Sequence, residues 1–109
     1  MPWQINAYHS SADHIPVFEF IETLDQSTQQ KISRLIDYLE NNGPYVHMPH
    51  SKQLESNLYE LRIKGKQEVR IFCCFVNQTI YLLHGMIKKT NKTPKNDLVI
   101  AKERMKMLK

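Results

Sequence analysis

An arginine and a histidine in the second half of the sequence lie where a charge or a titratable group is unexpected. Arg70 follows Val69 and precedes Ile71, and a charge in such an apolar run is costly unless it is paired or useful. Arginine suits phosphate, because its planar guanidinium pairs two phosphate oxygens and stays protonated. His84 is the only histidine after residue 60, and its ring can act as acid or base near neutral pH. Arg70 and His84 together predict a phosphate-binding site. The structural alternative is that Arg70 is an ion-pair partner and His84 a hydrogen-bonded core residue.

The charge distribution favours a polyanion-binding surface in the same half. The chain of 109 residues has a formal net charge of +4. Residues 1–60 contain three Lys or Arg and eight Asp or Glu, whereas residues 61–109 contain twelve and three. Such an asymmetry is typical of a surface that faces a polyanion. A set of solvated lysines would give the same counts.

The composition indicates one globular domain over residues 1–109. Hydrophobic residues make up 41% and charged residues 24%, as in proteins that bury a core. No apolar run approaches the roughly 20 residues that span a bilayer, and no secretory leader is visible, so we expect a cytoplasmic protein. Cys73 and Cys74 are adjacent in a predicted strand, so we expect two packing thiols rather than a disulfide. His47 and His50 have no further ligands nearby, so neither a metal nor a cofactor is expected.

Hydrophobic periodicity predicts the element order β-α-α-β-β-β-α. Apolar residues recur every three or four positions in the helices and every second position in the strands. Ser27 with Gln30 resembles a capping box that opens the second helix, and Gly43 with Pro44 ends it. Thr93–Pro94 predicts the start of the last helix. The predicted elements are a strand over 3–8, helices over 17–24 and 27–42, strands over 59–64, 69–76 and 79–87, and a helix from 94 onward.

The turn after the first meander strand decides whether two arginines share a face of the sheet. Gly65 marks this turn and Asn77–Gln78 marks the next, which gives a three-stranded antiparallel meander. With three turn residues, Arg62 pairs across from Arg70 and both side chains lie on one face. With four turn residues, the two side chains face opposite sides. The sequence leaves both registers open.

Four segments of the C-terminal half together resemble a known toxin superfamily. They are Leu58–Lys64, Val69–Phe72, Leu82–Thr90 and Lys92–Pro94. The distinctive pieces are Glu-x-Arg in the first segment and Leu-His-Gly with Lys-Lys-Thr in the third. As a set, they are similar to the HigB-like branch of the RelE/ParE superfamily, which includes phage-derived killer proteins. The similarity covers roughly residues 50–105 in motif, and the first half of the chain in its predicted helix hairpin.

The resemblance implies a fold, an activity and a partner. The fold would be α+β and RelE-like, a small antiparallel sheet with the N-terminal helix hairpin packed on one face. The activity would be that of a type II toxin, a metal-independent endoribonuclease that cuts messenger RNA in the ribosomal decoding site. A HigA-like antitoxin with a helix-turn-helix domain would bind tightly and provide the only link to operator DNA. No cofactor and no membrane partner are implied.

The resemblance also places the active site on a few basic side chains rather than on a strict triad. The candidate catalytic residues are Arg62, Arg70, Lys88, Lys89 and His84. The candidate RNA-binding residues are Lys64, Lys66, Lys92 and Lys95. RelE itself has a tyrosine in its C-terminal helix, whereas no tyrosine follows Tyr81 here. The identity of a general base therefore stays open.

RNA cleavage by internal transfer sets the chemistry that these residues must perform. The 2′-hydroxyl must lose a proton, the extra charge on phosphorus must be stabilised, and the leaving 5′-oxygen must gain a proton. Arginine suits the second task, and a lysine among other cations gives up its proton more readily. Structural alternatives remain, since Arg62 could pair with Glu60 or Glu55, and the lysine pair at 88–89 could be a solvated strand end.

Two other functions fit the same sequence. A ParE-like binder would inhibit a topoisomerase without cutting RNA, and it would tolerate neutralisation of the basic residues. A degenerate phage remnant would only bind its antitoxin and would not arrest growth. An antitoxin could cover either the helix hairpin or the basic half, and charge complementarity favours an acidic segment across the basic half.

Overall fold

The structure is a computed structural model that describes residues 3–43, 51–55, 57–89 and 95–108. These residues form five strands and three helices, and the α+β class expected from the sequence is confirmed. The strands are β1 (Gln4–Ala7), β2 (Ser51–Glu55), β3 (Leu58–Lys64), β4 (Glu68–Val76) and β5 (Thr79–Lys88). The helices are α1 (Pro16–Glu22), α2 (Gln26–Asn42) and α3 (Lys95–Met107).

The described strands form one mixed sheet with the order β1-β5-β4-β3-β2. β3, β4 and β5 form the expected antiparallel meander, whereas β1 pairs with β5 in parallel. The parallel pairing left no signal in the sequence, because no local turn connects these two strands. β2 is a strand that periodicity did not predict, since Leu54 is its only apolar residue and it forms by pairing with the edge of β3. The sheet is therefore larger than expected and antiparallel only in part.

Both turns of the meander have three or fewer residues. The turn between β3 and β4 comprises residues 65–67, and Arg62 pairs across from Arg70. The register that places both arginines on one face is thus the one present. Asn77 and Gln78 form the predicted two-residue turn between β4 and β5, with φ angles of 46° and 63°. Positive φ at both central residues suits a tight hairpin between twisted strands.

Helices cover the sheet on both sides. α1 and α2 pack over a core that includes Ile32 of α2 and Ile71 of β4, as expected for the helix hairpin. α3 packs on the opposite side, over a smaller core that includes Phe72 of β4 and Ala101 of α3. We call these two sides of the sheet the hairpin face and the α3 face. β4 is consequently buried on both faces, as its nearly continuous apolar sequence predicted.

Cys73 and Cys74 are both buried and free, one in the core of each face. Burial raises the pKa of the Cys73 thiol, and it raises the pKa of Cys74 to about 11. A thiol that stays protonated is a poor nucleophile and a poor metal ligand. Both residues serve as packing side chains, as expected.

α2 begins at a different cap from the one expected. Its N-cap is Asp25, whose carboxylate accepts a hydrogen bond from the Thr28 hydroxyl at 2.6 Å and from the Thr28 backbone N–H at 3.0 Å. These hydrogen bonds, that from the hydroxyl first, lower the pKa of Asp25 below its ordinary value of 3.8. The predicted capping box at Ser27 is wrong, because the helix begins one residue earlier and Asp25 caps it by accepting the Thr28 N–H.

The end of α2 agrees with the prediction, whereas the residues predicted to cap α3 lie outside the described ranges. α2 ends at Asn42, and Gly43 follows with a φ of 68°, as predicted for a glycine at a helix C-terminus. Pro44 and the expected cap at Thr93–Pro94 lie outside the described residues. Within the described ranges, no helix has both the length and the apolar character needed to cross a membrane.

Candidate functional site

Polar side chains of three neighbouring strands collect on the α3 face. Residues that pair across β3, β4 and β5 point to the same side of the sheet, so they form rows. Read from β3 through β4 to β5, the rows are Glu60–Phe72–His84, Arg62–Arg70–Met86 and Lys64–Glu68–Lys88. Phe72 packs under α3, and the charged residues lie around and beyond it. We call Glu60, Arg62, Lys64, Glu68, Arg70 and Lys88 the charged cluster.

Glu60 holds the two arginines of the charged cluster together. Its Oε1 accepts a hydrogen bond from Arg62 Nε at 3.1 Å and lies 3.4 Å from Arg70 Nε. The side chain of Arg70 is 4% exposed and that of Arg62 is 23% exposed. One carboxylate thus compensates two guanidinium groups. The structural alternative for Arg62, a pair with Glu60, is present, whereas Glu55 pairs with Lys102.

Arg70 is buried with part of its hydrogen-bonding capacity unused. Its Nη2 donates to Glu68 Oε1 at 3.4 Å, and the Glu68 side chain is 43% exposed. Its Nε and Nη1 have no hydrogen-bond partner among the residues that the structure describes. A buried donor without a partner costs about 1–3 kcal/mol, so this guanidinium would gain from a further acceptor.

A β-bulge in β5 turns His84 onto the α3 face. Phe72 pairs with His84 while Cys73 pairs with Leu82, so Leu83 is the extra residue. Regular alternation predicts His84 on the same face as Leu82 and Met86. Because the bulge shifts the register, His84 shares the α3 face with Met86, as predicted, but not with Leu82. The ring of His84 instead stacks on that of Phe72, with 6.2 Å between the ring centroids.

Both ring nitrogens of His84 are engaged by α3. Nε2 lies 2.6 Å from Asp97 Oδ1, and Nδ1 lies 3.4 Å from Arg104 Nη1. Because an arginine can only donate, Nδ1 is the acceptor and Nε2 carries the hydrogen that is donated to Asp97. Arg104 also donates to the Leu83 carbonyl at 2.8 Å and lies over the ring of Tyr8. His84 therefore ties β5 to α3 through contacts of the kind that a hydrogen-bonded core histidine makes.

The candidate lysines differ in how close they lie to the arginines. Lys64 and Lys88 occupy the row next to Arg62 and Arg70, and Lys88 is half-buried there. Other candidate lysines are exposed on the turn after β3, directly after β5 and at the start of α3: Lys66, Lys89 and Lys95. Lys92 lies outside the described residues. The structure thus brings Lys64 and Lys88 together with the two arginines.

The charged cluster has the composition of a phosphate-binding site. It contains four cations and two carboxylates. Three of the six residues lie on β3, the first strand of the meander. Guanidinium groups side by side can bind the two non-bridging oxygens of a phosphodiester. Among the described residues, no group of three or more His, Cys, Asp or Glu could hold a metal ion. His47 and His50 lie outside those residues.

Three residues that shape the site were not singled out from the sequence: Glu68, Asp97 and Arg104. Glu68 had a signal, since Glu68–Arg70 repeats the spacing of Glu60–Arg62 and alternation places each pair on one face. Asp97 and Arg104 lie in the first and last turns of α3, where their charges favour the helix dipole. That local role conceals their contacts with β5, which depend on how α3 packs.

The fold and the charged cluster define a small basic protein of the RelE-like α+β class. A family profile of phage-derived Gp49-like proteins (DUF891) matches residues 19–106, from within α1 into α3. The chain belongs to this family, which is a RelE/HigB-type toxin family, and an antitoxin partner is implied. No curated protein matched the chain significantly in sequence.

Proposed function

We propose that the protein is the toxin of a type II toxin–antitoxin system and arrests translation by cutting messenger RNA on the ribosome. The observation that carries this proposal is the pairing of Arg62 with Arg70 on one face, in a cluster where cations outnumber carboxylates. Two adjacent guanidinium groups favour phosphate over other ligands. The family match supports the toxin function, and the similarity of Leu58–Lys64 and Leu82–Thr90 to the HigB-like branch supports ribosome-dependent cleavage.

Cleavage proceeds by internal transfer within the RNA. A bond forms between the 2′-oxygen and phosphorus as the 2′-hydroxyl loses its proton, and the bond from phosphorus to the 5′-oxygen breaks as that oxygen is protonated. The products are a 2′,3′-cyclic phosphate and a free 5′-hydroxyl. Arg62, the more exposed arginine, binds the oxygens on which negative charge develops. Lys88, half-buried at the end of β5 in the row next to the arginines, is assigned to one proton transfer, and Lys89, exposed directly after β5, remains the candidate for the other.

Arg70 acts below Arg62 in the same site. Its Nη2 releases Glu68, whose side chain is 43% exposed, and the scissile phosphate takes the place of the carboxylate. Glu60 stays between the arginines and keeps both guanidinium groups in position. The positive charge of Arg70 thus stabilises the negative charge of the phosphate. Arg70 also fixes the orientation of Arg62, because both bind the carboxylate of Glu60.

His84 positions α3 rather than exchanging protons with RNA. Both of its ring nitrogens are occupied, by Asp97 and by Arg104, which leaves neither directed at the charged cluster. The stack on Phe72 holds the ring next to the row of Arg62 and Arg70. We assign His84 to the support of the site.

The partners follow from the same proposal. Messenger RNA on the ribosome is the substrate, and the protein acts in the cytoplasm. A HigA-like helix-turn-helix antitoxin neutralises it and provides the contact with operator DNA. Charge complementarity favours an acidic segment of that antitoxin across the charged cluster. Competition between the antitoxin and RNA for Arg62 then explains neutralisation.

The test is brief induction of the protein in cells, with new 5′ ends mapped across all transcripts. Wild type is compared with Arg62→Ala and Arg70→Ala, and with Lys106→Ala, which removes an exposed cation from α3. We expect fresh ends within translated reading frames for wild type and Lys106→Ala. Both arginine variants should lack them.

Two results would reject the proposal. Growth arrest with intact transcripts would favour the ParE-like topoisomerase inhibitor, whose toxicity does not need the charged cluster. Normal growth on induction of the wild type would favour a phage remnant that only binds its antitoxin.

A further inference from the structure

A groove of about 520 Å³ lies between α2 and the end of β3. The described residues that line it are Lys31, Arg34, Leu35, Tyr38, Arg62, Ile63 and Lys64. The four on α2 are spaced at i, i+3, i+4 and i+7, so they form a stripe along one side of the helix. The three on β3 are consecutive, so they point alternately to the two faces of the sheet. Arg62 and Lys64 also belong to the charged cluster, so the groove and the cluster share these two residues at the end of β3.

The groove combines positive charge with an open aromatic ring. Of the seven described residues that line it, four are Lys or Arg and none is acidic. Lys31 Nζ donates to the Lys64 carbonyl at 2.7 Å, which places its ammonium group beside β3. Tyr38 is 49% exposed, although it is one of the large apolar side chains of α2. Basic grooves with exposed aromatic rings bind single-stranded nucleic acids, because phosphates contact the cations and bases stack on the rings.

We propose that this groove binds the single-stranded RNA that extends from the charged cluster. One base stacks on Tyr38, and neighbouring phosphates contact Lys31, Arg34 and Lys64. This rests on the proposed function, since a strand that is cut at the cluster must continue beyond it. Arg62 belongs to both the cluster and the groove, so the strand passes from one to the other along continuous positive charge.

RNA explains the groove better than an acidic protein segment, which would match the same charge. Carboxylates need only the cations, and they leave the exposed ring of Tyr38 without a role. A base has an aromatic face of its own and uses both features. The continuity with Arg62 also favours the strand that Arg62 is proposed to bind.

The test measures the binding of a fluorescein-labelled 2′-O-methyl oligouridine of about 12 nucleotides, a length within the usual range of single-strand sites. The methylated strand cannot undergo internal transfer, so binding to the full chain is measured apart from cleavage. We expect Tyr38→Ala to raise Kd about tenfold and Tyr38→Phe to leave it within about twofold, because phenylalanine keeps the stacking face. Arg34→Ala should reduce the slope of log K against log salt by about 0.7.

Two matched controls lie outside the groove. Phe18→Ala removes an exposed ring from α1, and Lys106→Ala removes an exposed cation from α3. Both should bind the oligonucleotide as wild type does. Thermal unfolding of every variant checks that the fold is kept, which is expected because each side chain is exposed.

The inference is overturned if Tyr38→Ala and Arg34→Ala bind the oligonucleotide as tightly as wild type. It is also overturned if they keep RNA affinity but lose affinity for the antitoxin, since the groove would then dock a protein. Either result leaves cleavage by Arg62 and Arg70 untouched. Conversely, intact transcripts on induction, together with weaker binding by Tyr38→Ala, would reject the proposed nuclease and leave the groove as an RNA-binding site.

Discussion

The hairpin face and the α3 face of one sheet differ in what they bury. On the hairpin face, the meander strands present apolar side chains throughout, and α1 and α2 cover them. On the α3 face, the apolar core is smaller, and Glu60 and Arg70 are buried as charges beside it. A buried ion pair stabilises a fold no better than apolar side chains of similar volume. This difference is what we expect if the α3 face gives up stability in order to hold the proposed binding site.

Leu82 and Leu83 distinguish the two faces most sharply, because successive strand residues alternate and these neighbours are buried in the cores on opposite sides of the sheet. Both are fully buried, so either alanine substitution should lower the unfolding free energy by about 2–5 kcal/mol in urea denaturation. Cleavage per folded molecule should survive Leu82→Ala. Cleavage should fall in Leu83→Ala, because Leu83 lies next to His84 under α3. Equal cleavage by both variants would contradict the division between the faces.

Replacing the buried ion pair tests whether its charges serve stability. The double variant Glu60→Leu with Arg70→Met should be as stable as wild type or more stable by about 1–4 kcal/mol, because neither buried charge remains and the charges that lose a partner, Arg62 and Glu68, are partly exposed to solvent. It should no longer cut RNA. Arg70→Met alone is the matched comparison and should be less stable than the double variant, since Glu60 and Glu68 lose a partner. A double variant that unfolds more readily than wild type would show that the pair maintains the fold.

The contact between Asp97 and His84 joins α3 to β5 at the boundary of the charged cluster, so its loss tests how the α3 face is held together. Asp97→Ala removes the acceptor of His84 Nε2 and should lower the free energy of unfolding by about 1–2 kcal/mol. The loss is measured as faster hydrogen exchange in α3 and β5. Asp97→Asn keeps a side-chain oxygen that a neutral histidine can donate to, so it should cost less. Equal losses for the two substitutions would argue against donation from Nε2.

The smallest effect is expected on the hairpin side, at the cap of α2. Hydrogen bonds from Thr28 lower the pKa of Asp25 below 3.8 in the folded protein. Its contribution to stability is therefore fully present above that ordinary value and is lost as the pH falls through the lowered pKa. Asp25→Asn keeps a capping oxygen without the titration, so its unfolding free energy should decline less steeply toward acid pH. Superimposable acid profiles for the two proteins would exclude this role.

The elements that bury an apolar face could be predicted from the sequence. The strand expected over 69–76 lies at Glu68–Val76, and the turn at Asn77–Gln78 is in place. Both follow from local pattern, since alternation and turn residues act within a few positions. β2 could not be predicted, because a polar edge strand exists only through its partner β3.

The site could be predicted in its residues but not in its arrangement. Arg62 and Arg70 stand out in the sequence, yet the length of one turn decides whether they meet, and the sequence allows two lengths. The sharing of Glu60, the bulge at Leu83 and the approach of Asp97 to His84 arise from packing between distant segments. Such contacts have no period that a single sequence displays.

The most direct measurement is the rate at which the purified protein cuts messenger RNA on programmed ribosomes, for wild type, Arg62→Ala, Arg62→Lys and Lys106→Ala. We predict that Arg62→Ala slows cleavage at least about 100-fold, because it removes a donor aimed at the charge that develops on phosphate. Arg62→Lys should restore only part of the rate, since a point charge cannot pair two phosphate oxygens. Lys106→Ala should cut at the wild-type rate. A wild-type rate for folded Arg62→Ala would contradict the claim that the charged cluster cuts RNA.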